Sequence, residues 1–161
     1  DEEGKVKDVL RVQFDAAAGF ESPRQEDWTL VKVQSDTSLP EPVELPDDED
    51  DIGVGDELHL IHHPGGGLKT LSPDTAAVLE VAEDGRRIYY GNESLSGSSG
   101  GPIFDENWQL VAMHQGEESF DDRGTGESKG GNTGILPHIP HPDLKKKLIC
   151  NVLTISDIRT P

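Results

Sequence analysis

The chain has 161 residues, 32% of them hydrophobic, with 18 glycines and 11 prolines. That length suits one ordinary domain or two small ones, and short apolar runs between many turns predict an all-β protein. Acidic residues outnumber basic ones 32 to 14, for a net charge of -18, a surface that repels nucleic acid and anionic membrane and excludes both as expected partners. The single cysteine, Cys150, rules out an intrachain disulfide and fits either a cytosolic or a secreted bacterial protein. No apolar run approaches the length needed to span a bilayer.

In chain order, Val9 to Phe14 predicts a first strand and Asp27 to Val33 a second. Residues 35 to 51 are Pro-rich and acidic, ending in Asp47-Asp48-Glu49-Asp50-Asp51. The run lacks the spacing of a calcium loop and reads as a solvated connector. Gly53 to Asp56 is a turn, and Glu57 to His63 is a strand that ends at Pro64-Gly65-Gly66-Gly67. Thr75 to Ala82 and Arg86 to Tyr90 flank Asp84-Gly85, a strong short hairpin signal. Residues 116 to 132 are polar and Gly-rich and predict a mobile loop. Gly134 to Ile139 is a last strand, and Asp143 to Cys150 a short C-terminal helix with Asp143 near its N-terminus.

Gly97-Ser98-Ser99-Gly100-Gly101-Pro102 carries the chemistry. A serine nucleophile needs a tight turn that exposes its hydroxyl and aims backbone N–H groups at the developing oxyanion. Flanking glycines permit such a turn. A flexible Gly/Ser linker has a similar composition. Against a linker, the motif runs directly into Pro102 to Asp105, a turn at Glu106-Asn107-Trp108, and Gln109 to His114, which reads as a hairpin.

On these residues the chain resembles the trypsin-like peptidases of the chymotrypsin fold, particularly their bacterial glutamyl-endopeptidase-like (V8-like) branch. Asp27-Trp28-Thr29-Leu30-Val31-Lys32-Val33 is similar to the segment that carries the triad aspartate. Val54-Gly55-Asp56 through His63-Pro64-Gly65-Gly66 resembles the family's Val-Gly-Asp…Gly-x-Pro-Gly-Gly strand. Gly97 to Pro102 matches Gly-x-Ser-Gly-Gly-Pro. Val111 to His114 and Asn132 to Ile135 resemble the two stretches that wall the specificity pocket.

The resemblance implies a double β-barrel. The first barrel, partial, would take residues 1–46, an acidic connector 47–56, the complete second barrel 57–142, and the helix and tail 143–161. It implies a serine endopeptidase working on peptide or protein substrates through an acyl-enzyme, with Ser99 as nucleophile and Asp27 orienting the histidine. The amides of Gly97 and Ser99 would form the oxyanion hole, and no metal or organic cofactor is needed. The paired histidines His62-His63 and His138/His141 lack the further ligands of a zinc site.

Two departures carry consequences. In the family the triad histidine precedes the aspartate, whereas His59, His62, His63, His114, His138 and His141 all follow Asp27. The base is therefore expected from a segment upstream of Asp1, and the chain by itself is expected to be nearly inactive. The alternative is a catalytically silent peptidase-like module that binds a protein partner. Ser98 stands where zymogen-activated relatives have an aspartate, which argues against that activation switch. For specificity, Glu93 occupies the position of an acid that selects Arg or Lys. His114, supported by Ser94, occupies that of a histidine that reads Glu or Gln; this second pointer is favoured. Cys150 reads as a packed thiol.

Overall fold

The computed structural model describes residues 13–15, 20–21, 30–31, 33–34, 52–72 and 76–136. The chain divides into two compact units, Asp1–Glu41 and Pro42–Pro161. The first unit holds two short antiparallel ladders. β1 (Gln13–Phe14) pairs with β4 (Val33–Gln34), and β2 (Phe20–Glu21) with β3 (Leu30–Val31). β1, β3 and β4 fall within or at the edge of the predicted runs 9–14 and 27–33, whereas β2 lies in the segment between them that the sequence suggests is a loop around Gly19 and Pro23. Asp27 lies outside the described residues, as do the predicted helix 143–150, Cys150, and His138 and His141.

The second unit is built from β5 (Glu57–His62), β6 (Thr70–Leu71), β7 (Ala76–Val81), β8 (Arg87–Tyr90), β9 (Pro102–Phe104), β10 (Leu110–Asp121) and β11 (Ser128–Ile135). Neighbours pair in the order β5-β7-β8-β11-β10-β9, and β9 pairs back to β5. Six antiparallel strands thus close into a barrel, which removes free sheet edges. β6 lies beside the C-terminal end of β5, Ile61 opposite Leu71 and His62 opposite Thr70. Among the described residues there is no α-helix, only one 3₁₀ turn at Pro64–Gly66.

Alternation places the core. Along β5, Leu58, Leu60 and His62 are buried while their neighbours are not, as a period of two requires. β8 does the same with Ile88 and Tyr90. These side chains meet Val78, Ile103, Val111 and Ala112 inside the barrel. His62 is therefore inward by parity, at the end of a row of leucines, whereas His59 faces out and stacks on Trp108.

Two predicted hairpins form. β7 and β8 pair across Asp84-Gly85, where Gly85 takes φ 66, a conformation that favours glycine. β9 and β10 pair across Asp105 to Gln109. The expectation of a mobile loop over 116–132 is overturned. β10 runs to Asp121 and returns as β11 from Ser128, with Gly116 to Asp121 in register with Thr133 to Ser128. The reason is local as well as collective. Asp122 Oδ1 accepts from the amides of Gly124 and Thr125, its carboxylate pairs with Lys129, and Phe120 is buried and stacks on Tyr89. The last strand correspondingly begins six residues before Gly134, the predicted start.

Candidate active site

The segment from Asn92 to Gly101 leaves β8 and enters β9, lying across the end of β5. Its backbone comes close enough that side chains are excluded. A Cβ on Gly97 would stand 2.9 Å from the amide nitrogen of Gly66 and 3.1 Å from the carbonyl of His63. One on Gly101 would stand 2.8 Å from the carbonyl of Ile61. Gly97 also has φ 97, which L-residues resist. The amide of Gly65 donates to the carbonyl of Ser96 at 2.8 Å. The His63-Pro64-Gly65-Gly66-Gly67 run is thus explained as a cradle for this turn.

The two serines of the motif have opposite environments. Ser98 is 1% exposed, and Ser99 lies at the surface. Ser99 Oγ donates to the carbonyl of Gln115 at 3.0 Å. That carbonyl is available because β10 has a bulge between His114 and Gly116 against β11, which takes Gln115 out of the ladder. The amides of Ser98, Gly100 and Gly101 donate to Leu95, His114 and Ser98 carbonyls at 3.0, 2.8 and 3.0 Å. Among the described residues, the amides of Gly97 and Ser99, one on each side of Ser98, have no acceptor. Glycine geometry and neighbouring bonds thus leave two N–H donors beside an exposed hydroxyl.

Two imidazoles lie beneath the turn, and neither is bonded to Ser99. His62 Nδ1 is 2.8 Å from Ser98 Oγ. His114, 2% exposed, has Nδ1 2.5 Å from the Tyr90 hydroxyl. Burial, assisted by the nearby His62, lowers the pKa of His114 to about 4. It is therefore neutral at pH 7, and Tyr90 O–H donates to it. Burial pushes the Tyr90 phenol up, so that proton is retained. His62 is also lowered, by burial first and then by His63.

Beside the turn is a cavity of about 730 Å³ lined by His62, Tyr90, Glu93, Ser94, Leu95, Glu117 and Asn132, among others. Its polar wall is internally bonded. Ser94 Oγ donates to Asn132 Oδ1 at 2.6 Å, and Asn132 Nδ2 donates to the carbonyl of Asn92. Of the residues singled out in the sequence, Glu93 and Ser94 line this cavity. His114 lies behind its wall, packed against Tyr90. Asn132, in the stretch 132–135 that resembles a pocket wall, lines the cavity, whereas Glu117, Tyr90 and the His62–Ser98 pair were not singled out as parts of the site. Glu117 was hidden in the segment read as a loop, and the others are joined only through contacts distant in sequence.

Among the described residues no cluster of three or more His, Cys, Asp or Glu is arranged to hold a metal ion.

Comparison with known proteins agrees with this geometry. Residues 1–113 match the family model described as a trypsin-like peptidase domain. The chain is also 26% identical over 128 residues to protein y4fB of Sinorhizobium fredii (strain NBRC 101917 / NGR234), titled uncharacterized. That alignment covers 71% of this chain and 19% of the relative, so the chain spans about a fifth of the length of the curated protein it matches. With well over half its length matched by the family model, the chain belongs to the trypsin-like peptidase family.

Proposed function

We propose that this family member is the Ser99-bearing part of a serine endopeptidase. The observation that carries the reading is the pairing of an exposed Ser99 hydroxyl with the acceptor-free amides of Gly97 and Ser99. In the reaction, Ser99 Oγ attacks the scissile carbonyl carbon and its proton passes to a general base. The two amides hold the oxyanion. Collapse expels the amine, which takes the proton back, and water then releases the acyl group from Ser99. Asp27 is the proposed carboxylate that orients the base. The base itself is assigned to a histidine of an upstream segment. His62 and His114 are committed to Ser98 and Tyr90 rather than Ser99.

For the residue preceding the cleaved bond, the cavity supports a Lys or Arg side chain. Glu93 and Glu117 bring two carboxylates to its lining. His114 is buried and neutral, and so offers no positive charge to draw a glutamate. This moves the weight that sequence alone puts on His114 to Glu93.

The test is labelling of the 161-residue chain by a fluorophosphonate probe, followed by peptide mapping. Modification of Ser99, lost in Ser99→Ala, is expected, and slow turnover should favour Lys or Arg peptides over Glu peptides. The commitment of both buried imidazoles elsewhere favours a second reading, a silent module that binds a protein. Absence of Ser99 labelling both in this chain and with an upstream segment restored would establish that reading instead.

A further inference from the structure

We propose that His62 is a positioning residue that holds the nucleophile turn in its working shape, by accepting the hydroxyl proton of Ser98. The inference rests on the reading of Ser99 as the nucleophile. Ser98 lies between the two amides assigned to the oxyanion, so its orientation sets theirs. Its backbone is tied locally, Ser98 N–H to the Leu95 carbonyl and Gly101 N–H to the Ser98 carbonyl, each at 3.0 Å. Its side chain is tied at long range. Ser98 Oγ accepts from the Leu95 amide at 3.3 Å and is 2.8 Å from His62 Nδ1, 36 residues away.

The direction of that bond follows from its burial. Ser98 and His62 are 1% and 4% exposed. The Leu95 amide already donates to Ser98 Oγ. A second donation, from His62 Nδ1–H, would leave the serine proton buried without an acceptor among the described residues, at a cost larger than one hydrogen bond contributes. Ser98 O–H therefore donates to Nδ1, and His62 carries its proton on Nε2. Burial and the adjacent His63 hold the ring below its ordinary pKa, which keeps Nδ1 an acceptor at neutral pH.

His62 reaches this place because it ends the inward row of Leu58 and Leu60. The backbone on both sides is locked to the turn by the close approaches at Gly97 and Gly101. Among the described residues, the imidazole is the β5 side chain whose hydrogen bond reaches the turn, while the Asn92 amide reaches back to the Leu58 carbonyl.

The device is sensitive to protonation, since an imidazolium donates from both nitrogens and leaves Ser98 O–H without its acceptor. The titratable groups that face His62 are His63, just past the end of its own strand, and His114 from β10. Tyr90 lies behind His114, and Glu93 and Glu117 share the cavity wall. His63 opposes protonation of His62, whereas His114 is itself neutral above about pH 4.

Two isosteres separate this role from general packing. Asparagine places its amide oxygen near the Nδ1 position and keeps the acceptor, whereas glutamine places its amide group near Nε2. In the 161-residue chain, ¹⁵N NMR of the wild type should show Nδ1 unprotonated at pH 7, with a resonance that moves in Ser98→Ala. The amides of Gly97 and Ser99 should shift or broaden in His62→Gln but stay close to wild type in His62→Asn. They should also follow a single titration in the wild type that His62→Asn abolishes. Fluorophosphonate labelling of Ser99 should slow roughly tenfold in His62→Gln, the effect of one lost buried hydrogen bond, and recover in His62→Asn.

A protonated Nδ1, or turn amides equally perturbed or equally untouched in both variants, would overturn the proposal. If wild-type Ser99 is not labelled at all, the peptidase reading fails, while the ring and amide resonances still decide whether His62 holds the turn.

Discussion

Two glycine-containing turns in the barrel unit, one charged and one serine-rich, differ in how they are anchored. The turn between β10 and β11, Asp122 to Glu127, is held chiefly within its own hairpin, with Arg123 also reaching the Glu80 carboxylate and the Val81 carbonyl of β7. Asp122 caps Gly124 and Thr125 at 2.8 and 3.0 Å and pairs with Lys129, and the Asp122 amide donates to the Glu127 carbonyl at 2.9 Å. The turn at Ser94 to Gly101 is held mainly from outside, by His62, by the Gly65 amide and by backbone contact with residues 61–66. A locally held turn can form once its hairpin pairs. A turn held at long range forms only when the barrel closes, and its geometry is then fixed by the whole fold. That is what a catalytic turn needs, because its amides must point correctly before substrate arrives.

Alanine substitution at glycine gives the largest contrast. Gly97→Ala combines φ 97 with a Cβ 2.9 Å from the Gly66 nitrogen. It is expected to cost about 3 kcal/mol, from left-handed strain and overpacking together, and to abolish Ser99 labelling. Gly126→Ala has φ 70 but an open surrounding with nothing within 4 Å. It should cost about 1 kcal/mol and leave labelling intact. Urea denaturation measures both. Equal costs at the two sites would break the distinction between a turn clamped from outside and one held mainly within its hairpin.

Acid should separate the two regions as well. The pKa of His114 in the folded chain is about 4, below its ordinary 6.5, because the ring is buried. Below pH 6.5 the unfolded chain takes up a proton that the folded chain refuses. The stability associated with neutral His114 is thus complete above about 6.5 and is lost as pH falls toward 4, by about 3 kcal/mol in all. Asp122 behaves differently. Its pKa is lowered to about 2, chiefly by the Lys129 hydrogen bond and then by the Thr125 amide. Its contribution is complete above its ordinary 3.8 and fades only toward 2. Denaturation midpoints followed from pH 7 to 4 should therefore fall while the Gly124 and Thr125 amides keep their shifts. His114→Phe should flatten the pH dependence.

How much of this was legible depends on where each anchor lies. β5 was readable because Leu58, Leu60 and His62 alternate with less buried neighbours, and the β7–β8 hairpin because Asp84-Gly85 declares its own turn. The outer halves of β10 and β11 were not. Glu117, Glu118, Ser119, Ser128, Lys129 and Gly130 are all exposed, so no inward row marks them. They are strand because each extends a ladder begun at His114 and Gly134.

The serine turn was legible as a motif, but its anchors were not. His62 is inward by parity, yet nothing near it in sequence says that its partner is Ser98. The Tyr90–His114 bond spans 24 residues. Local chemistry is written in the residues that use it, whereas a contact made on closure depends on strand order, which a single sequence does not spell out.

The β9–β10 tip combines both modes of anchoring and should give the smallest effect. Asp105 holds it locally, its Oδ1 accepting from the amides of Asn107 and Gln109 at 2.9 and 2.7 Å. Trp108 holds it at long range, stacked on His59 with ring centroids 4.8 Å apart, although the residue is 52% exposed. Trp108 also sits at φ 61, a position where glycine is at ease and a tryptophan costs about 1 kcal/mol. Trp108→Gly relieves that strain but loses a ring stack of comparable size and gives the unfolded chain more freedom. The two nearly cancel, and the variant should be less stable by about 0.5 kcal/mol with unchanged Ser99 labelling. Trp108→Asn also suits φ 61 and gives the unfolded chain less added freedom, so it should fall between Trp108→Gly and the wild type in urea denaturation. A stability gain in the glycine variant would mean that local conformation governs this tip as it governs Asp122 to Glu127. A loss of several kcal/mol would place it with the serine turn, held by contacts across the barrel.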